Sequence, residues 1–228
     1  MSQKAAWEKE YATQKLMTLG DEPQADVLRF LKWFKKEKTV NFDQLNVLDL
    51  GCGTGRNANY LAGLGAKVTG YDIAGNVLQL AKDRAKLQCL TVDYFERNIG
   101  KEWPLAENSI DLIIDITSSN SLNEAERIVY LSEMFRVLKS KGYIFVRALC
   151  KDGDKNAKFL IKEHPGKEKD TYILPGVNIV ERVFTESDFR QVYGQDFKII
   201  KLQKKTGYQR FNNQSYKRNY WLAYLVKK

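Results

Sequence analysis

The stretch "VLDLGCGTGRNANYLA", Val47 to Ala62, decides how the rest of the chain is read. "NVLDL" is a short, nearly continuous apolar run after polar "NFDQL", as expected of a strand buried on both faces. Glycines follow at 51, 53 and 55, and then a helix-like segment. Glycine loses more freedom on ordering than any other residue, so three within five positions point to a tight turn that something must approach closely. N–H groups at the start of the following helix would be available as donors. The dinucleotide-binding pattern G-x-G-x-x-G fails here, because Arg56 stands where its third glycine belongs. The phosphate-cradling pattern G-x-x-x-x-G-K-[ST] is absent as well.

Outward from this loop, helical and strand patterns alternate. Upstream, helices are expected over Lys4–Met17 and after "GDEP", where Val27, Leu28, Leu31 and Phe34 recur at helical spacing and Asp21 and Pro23 give start signals. Downstream come helix 57–64, strand "AKVTGYD", helix 75–87, strand "QCLTVD" and strand "IDLIIDI". "SLNE" fits a capping box, Ser121 with Glu124, opening a helix that ends before Gly142 and leads into strand "YIFVRAL". Such alternation implies a parallel sheet with helices on both faces. Residues 150–183 hold "HPG" and "LPG" breaks and read as a long loop or lid. A short helix, "TESDFRQVY" with Thr185 as cap, precedes two last strands, "FKIIKLQ" and "NYWLAYLV", joined by a basic loop.

"LDLGCGTG" resembles the first motif of class I S-adenosylmethionine-dependent methyltransferases. The likeness continues in order through Asp72 in "VTGYD", Asp93 in "LTVD", "NSIDLIIDI" and "FRVLKSKGYIFV". Ser140 and Lys141 replace the Pro-Gly pair usual in the last of these. The resemblance covers residues 45–148 and implies a Rossmann-like, doubly wound α/β fold. Its sheet would have seven strands, mostly parallel with the last antiparallel. It implies S-adenosylmethionine as cofactor and S-adenosylhomocysteine as product. Asp72 would take the ribose hydroxyls, and Asp93 the adenine amino group with Tyr94 beside the ring. Asp49 or Asp115 would lie near the cofactor's ammonium. Gly51, Cys52, Gly53, Thr54, Gly55, Asn57 and Ile73 complete the implied cofactor set. A cofactor without pyrophosphate needs no basic clamp, and carboxylates suit its hydroxyl, amine and ammonium donors.

The acceptor side is less constrained. In an open parallel sheet ligands lie beyond the carboxyl ends of the strands. That places "TSSNSLNE" with Asn120, the 150–183 segment with His164, and the final basic loop with Tyr208, Arg210, Tyr216 and Arg218 on the rim. Trp7 and Tyr11 of the first helix would form a further wall. No catalytic residue is assigned: alignment carries much of a methyl transfer, and a base is needed only if the acceptor loses a proton. His164 and Asp115 are base candidates. His164, in a charged loop before Pro165, reads more readily as an incidental imidazole.

Charge sharpens the alternatives. Net charge is +9, and residues 198–228 hold nine Lys or Arg and no Asp or Glu; residues 1–197 are balanced at 28 of each sign. A basic, aromatic-rich tail suits RNA, or an anionic small molecule; equally, lysines guard an edge strand while Tyr and Trp pack. The small molecule is the preferred partner. RNA methylation and a non-catalytic cofactor-binding module are the alternatives. The 228 residues are expected to form one domain: 1–40 over the cofactor, 45–148 as its core, 150–183 as substrate lid, and 185–228 as the closing strands and basic loop. No apolar run is long enough for a membrane span, and three cysteines without ligand spacing suggest a reducing, cytoplasmic setting and no metal.

Overall fold

Alternating apolar runs become the strands of one sheet in the computed structural model, which describes residues 2–16 and 19–228. Helices α1 (Gln3–Thr13) and α2 (Ala25–Lys38) precede β1 (Asn46–Leu50), α3 (Arg56–Gly63), β2 (Lys67–Asp72), α4 (Gly75–Leu87) and β3 (Val92–Glu96). Then follow β4 (Ile110–Ile116), α5 (Glu124–Val137), β5 (Leu138–Leu149), α6 (Lys155–Glu163), β6 (Thr171–Ile173) and β7 (Val180–Arg182). Helix α7 (Glu186–Tyr193), β8 (Phe197–Phe211) and β9 (Gln214–Lys227) close the chain. The seven-stranded sheet runs β3-β2-β1-β4-β5-β9-β8, with β9 antiparallel to both its neighbours and the others parallel. The expected Rossmann-like architecture is the one observed.

Both faces are covered, which is why the central strands are apolar throughout. Leu48 and Leu50 pack with Tyr130 and Met134 of α5 and Phe189 of α7. Val47 packs on the other side with Phe30 of α2, Leu61 of α3 and Ala81 of α4. Strand β1 therefore sits mid-sheet, with its carboxyl end held from both sides.

Several local expectations are corrected. The capping box belongs to Asn123 and Glu126: Asn123 Oδ1 accepts from Glu126 N at 2.8 Å, and Glu126 Oε2 accepts from Asn123 N at 3.1 Å. Ser121 instead lies in a 3-10 turn at 119–121. Met17, where the first helix was expected to end, lies outside the described residues; α1 stops at Thr13. The segment 150–183 is not a plain loop. It contains α6, capped by Asp154, and the β6–β7 pair, and it buries Tyr172, Leu174, Val177 and Ile179.

The supposed basic loop between the last strands does not exist. Strands β8 and β9 continue as one hairpin to a two-residue turn, Asn212 and Asn213, both left-handed at φ 46° and 63°. Asparagine tolerates that conformation, and two such residues make a turn matched to strand twist. The tip is tied down by Asn212 N donating to Lys15 O at 2.9 Å, and Phe211 packs beside Leu16 and Leu160. Tyr208 is 73% exposed on the outer strand, while Arg210 and Tyr216 bond within the hairpin, to Asn213 and Gln214. Arg218 is buried and belongs to the framework. Its Nε donates to Asp154 Oδ2 at 3.1 Å, Nη1 to Gln209 at 2.9 Å and Nη2 to the Tyr172 hydroxyl at 2.7 Å. Tyr172 in turn donates to Glu181 at 2.7 Å. Burial alone would lower the Arg218 pKa, but Tyr172, Glu181 and Asp154 reverse that and hold it charged.

Among the described residues no helix is long and apolar enough to cross a membrane. Because Arg218 neutralises a fully buried carboxylate, Arg218→Met is expected to cost about 3–5 kcal/mol of stability. Urea unfolding would read this as a lower midpoint with an unchanged slope, and a midpoint equal to wild type would remove Arg218 from the framework.

Candidate active site

The carboxyl ends of β1, β2 and β4 converge on one cleft, walled by Trp7 and Tyr11 of α1, Gly51, Asp72, Ile73 and the 116–122 turn. The glycine loop is shaped by hydrogen bonds to the neighbouring strand. Gly51 N and Cys52 N both donate to Tyr71 O, at 2.7 and 2.9 Å, and Gly53 N donates to Asp72 Oδ2 at 2.8 Å. Asp72 Oδ1 accepts from Ala74 N at 2.9 Å. Gly51 has φ +68°, and a Cβ there would lie 2.0 Å from Ser118 Oγ. Gly55 has φ +76°, and its Cβ would meet the Tyr94 hydroxyl at 2.3 Å. Only glycine fits either position.

Three carboxyl groups stand at these strand ends with raised pKa values. Asp49 is pushed up to about 8, by burial first and then by Asp72 and Asp115. Its Oδ2 is buried without a hydrogen-bond partner. Asp72 is raised to about 6 by burial, against the pull of its backbone donors and the Tyr11 hydroxyl. Asp115 is also raised by burial. It faces away from the cleft, accepting from Tyr130 at 2.6 Å and from Ser118 N at 2.9 Å, so it braces the 117–121 turn.

Several residues implied for the site lie elsewhere. Asp93 does not end its strand; β3 runs on to Glu96, which pairs with Asp72, while Asp93 pairs with Thr69 and is exposed. Asn98 and Ile99 line the cleft in its place. The turn residues Asn98 and Gly100 are the local signal of this boundary, with Asn98 Oδ1 accepting from Gly100 N at 2.8 Å. Tyr94 lies behind the loop, donating to Asn59 Oδ1 at 2.7 Å. Cys52 is buried against it and Gly70. Thr54 and Asn57 anchor the segment before α2, through Gly20 O at 3.2 Å and Gln24 N at 2.9 Å. Asn120 is buried in its turn, bonding Thr117 O and Leu149 N at 3.3 Å each. His164 ends α6 in a second cavity, with Phe159, Leu174 and Phe211. Trp7, Tyr11, Gly51, Asp72 and Ile73 do meet at the cleft. Ser118, within the "TSSNSLNE" stretch expected at the rim, joins them there, and so do Arg97 and Glu126, which no motif announced.

A family model for a methyltransferase domain matches residues 47–142. An uncharacterized methyltransferase, C750.03c of Schizosaccharomyces pombe, is 32% identical over 103 residues, covering 45% of this chain and 70% of that protein. The chain belongs to the S-adenosylmethionine-dependent methyltransferase family. A ubiquinone biosynthesis O-methyltransferase of Bartonella quintana is 30% identical over 108 residues, 47% of this chain and 42% of the other. A solved SAM-dependent methyltransferase of Methanosarcina mazei has the same fold at TM-score 0.73 and 22% identity, over 81% of this chain and 93% of its own.

The methyltransferase's cleft fits the cofactor on its own chemistry. Asp72 lines the cleft with an acceptor carboxylate suited to ribose hydroxyls, beside its backbone donors and the Tyr11 hydroxyl, a cleft donor that a ribose hydroxyl can replace. The unpartnered Asp49 Oδ2 offers a buried acceptor that would ionise beside a bound cation, and Gly51 leaves its backbone bare.

Two outcomes follow from this geometry. Asp49 and Asp72 hold protons more tightly in the folded chain than in the unfolded one. Folded-state stability without cofactor therefore falls as pH rises from about 4 toward 8. A bound cation favours the ionised carboxylates, so S-adenosylmethionine affinity should rise roughly tenfold between pH 6 and 7.5. Calorimetry checks this, with Asp49→Asn flattening the slope and a flat wild-type profile refuting the pairing. Replacing Asn98 by Ala should weaken cofactor binding about tenfold, whereas Asp93→Ala should leave it unchanged. The reverse ranking would restore Asp93 to the site.

Proposed function

We propose that this enzyme methylates a small polar or anionic molecule held beyond the carboxyl ends of β4 and β5. The walls of the cleft carry the reading: Trp7 and Tyr11 of α1 on one side and the 116–122 turn on the other enclose it as a concave pocket with few polar groups, the form of small-ligand sites. In this reading residues 1–40 cover the cofactor, 45–148 hold it, and the 150–183 segment with the terminal hairpin frames the acceptor side.

The cofactor, when bound, supplies an electrophilic methyl group on a sulfonium centre and accepts the leaving electron pair. The chain's own part is alignment and exclusion of water. Asp72 and Asn98 fix the nucleoside end. Asp49 and Gly51 meet the amino-acid end, and Trp7 and Tyr11 close the cleft from above. Asp115 is committed to Tyr130 and Ser118, and His164 lies in the other cavity, so neither is placed to take a proton. The site suits an acceptor whose nucleophilic atom already carries a free lone pair at neutral pH.

An RNA acceptor draws less support. Much of the basic tail is internally used: Arg218 is buried with Asp154, Lys205 pairs with Asp26 at 2.5 Å, and Lys227 and Lys228 donate to the Leu138 and Gly194 carbonyls. The test is incubation with methyl-labelled cofactor and separate metabolite and RNA pools. Label is expected in a low-molecular-weight product; label in RNA alone, with binding that falls steeply with salt, would overturn the small-molecule reading.

A further inference from the structure

A second cavity stands apart from the methyl-transfer cleft and shares no lining residue with it. Four separate segments build it: Leu16 after α1, one face of α6, the turn at 174–175 and the end of the β8–β9 hairpin. Backbone hydrogen bonds fasten these segments to one another. Asn212 N donates to Lys15 O at 2.9 Å, and Ile173 N donates to His164 O at 2.9 Å. The floor is apolar: Leu16, Leu160 and Leu174 are buried there, with Phe211 packed on the same cluster.

The polar groups of this cavity offer more donors than acceptors. Asn156, His164, Gln209 and Arg218 line it, and no Asp or Glu does. Gln209 Oε1 accepts from Arg218 Nη1 at 2.9 Å, so its amide N–H groups are what it has left for a ligand. Arg218 adds a fixed positive charge to the wall. Its carboxylate partner, Asp154, is buried and already accepts from Ala157 N, Arg218 Nε and Asn219 N. Tyr216 donates its hydroxyl to Gln214 at 2.6 Å and contributes its ring to the lining.

Phe159 of α6 lines the same cavity while 56% exposed, so half of a large aromatic side chain is left uncovered by the chain. Lys155 and Lys162 lie four residues before it and three after it, on the same helix face. Among the described residues Lys155 makes no ion pair, and Lys162 meets only Glu163, in a pair exposed to solvent. Aromatic walls, donors without a carboxylate and cations on the adjoining helix face suit a flat ring that carries an oxyanion. A cationic ligand finds no carboxylate in this lining, and a purely aliphatic one leaves the donors unanswered.

We propose that this cavity is a second small-molecule site and that its ligand is an aromatic carboxylate. The ring lies on Phe159, Phe211 and Tyr216, and the carboxylate accepts from the Asn156 and Gln209 amides and the His164 imidazole. The site binds on its own, whether or not the methyl-donor cleft is filled, and does not depend on which acceptor that cleft serves.

The test is NMR of the untagged chain at pH 7, with 2-naphthoate as the probe. His164 is the one histidine in the sequence, so its imidazole protons give a single pair of signals. Saturable movement of those signals is expected, with the same Kd in the presence of excess S-adenosylhomocysteine. 2-Naphthamide keeps the ring and loses the charge, and cyclohexanecarboxylate keeps the charge and loses the flat ring. Each should bind about tenfold more weakly. Phe159→Ser removes an exposed side chain, with retention of the fold checked by circular dichroism, and should raise Kd about tenfold. Signals that stay still under millimolar probe, or an unchanged Kd in folded Phe159→Ser, would overturn the site. Displacement of the probe by S-adenosylhomocysteine would put it in the methyl-donor cleft and overturn the site as well. Equal binding of 2-naphthoate and 2-naphthamide would overturn the assignment of a carboxylate.

Discussion

The hydrogen bond from Gly53 N to the Asp72 carboxylate ties the glycine loop to the end of the neighbouring strand, and the rest of the site depends on that tie. Tyr71 O, one residue earlier, accepts from Gly51 N and Cys52 N, so β2 holds the loop at three points. A loop with three left-handed glycines would otherwise be the least ordered part of the chain. Fixed in this way, it leaves backbone exposed to the cleft on one side and packs Tyr94 behind it on the other. The cost is a carboxylate buried near two others, visible in the raised pKa values of Asp49 and Asp72. Binding of a cationic cofactor relieves part of that cost, so the same carboxyl groups that burden the free protein favour the complex.

Buried charge is used in two different ways elsewhere. Around Arg218 every group is answered: Asp154, Tyr172, Gln209 and Glu181 form a closed chain that fastens the 150–183 segment to the terminal hairpin. At the strand ends beside the cleft a group is left open, Asp49 Oδ2 being buried without a hydrogen-bond partner. A closed network specifies one packing, while an open one leaves interaction energy for a ligand.

How much of this was legible depended on whether the signal was local. The glycine loop and the alternation of strands with helices could be read because each rests on residues adjacent in sequence and on a period fixed by backbone geometry, while Asp72 was implied by the family resemblance. The end of β3 could not: "LTVD" looks like a finished strand, and only pairing with β2 shows that it runs to Glu96. The terminal hairpin reads as strand, loop and strand because its polar, basic residues lack a clear alternation, although Asn212 and Asn213 suit a two-residue turn. Its cations read as a surface, yet Arg218 is among the most buried side chains in the molecule. The pairing of Asn123 with Glu126, two residues past the expected box, shows the same limit at smaller scale.

By itself, then, the sequence determined the doubly wound sheet, the glycine turn and the class of cofactor. The sheet and the turn follow from side-chain period and from conformations that only glycine adopts cheaply, both properties of short stretches; the cofactor class follows from the resemblance of "LDLGCGTG" and the motifs after it to a known family. Tertiary structure alone decided which polar groups face the cleft. It turned Asp115 and Asn120 inward to hold a turn and put Asn98 where Asp93 had been expected. Desolvation and partner geometry make a charged side chain structural or available, and neither exists until distant segments meet.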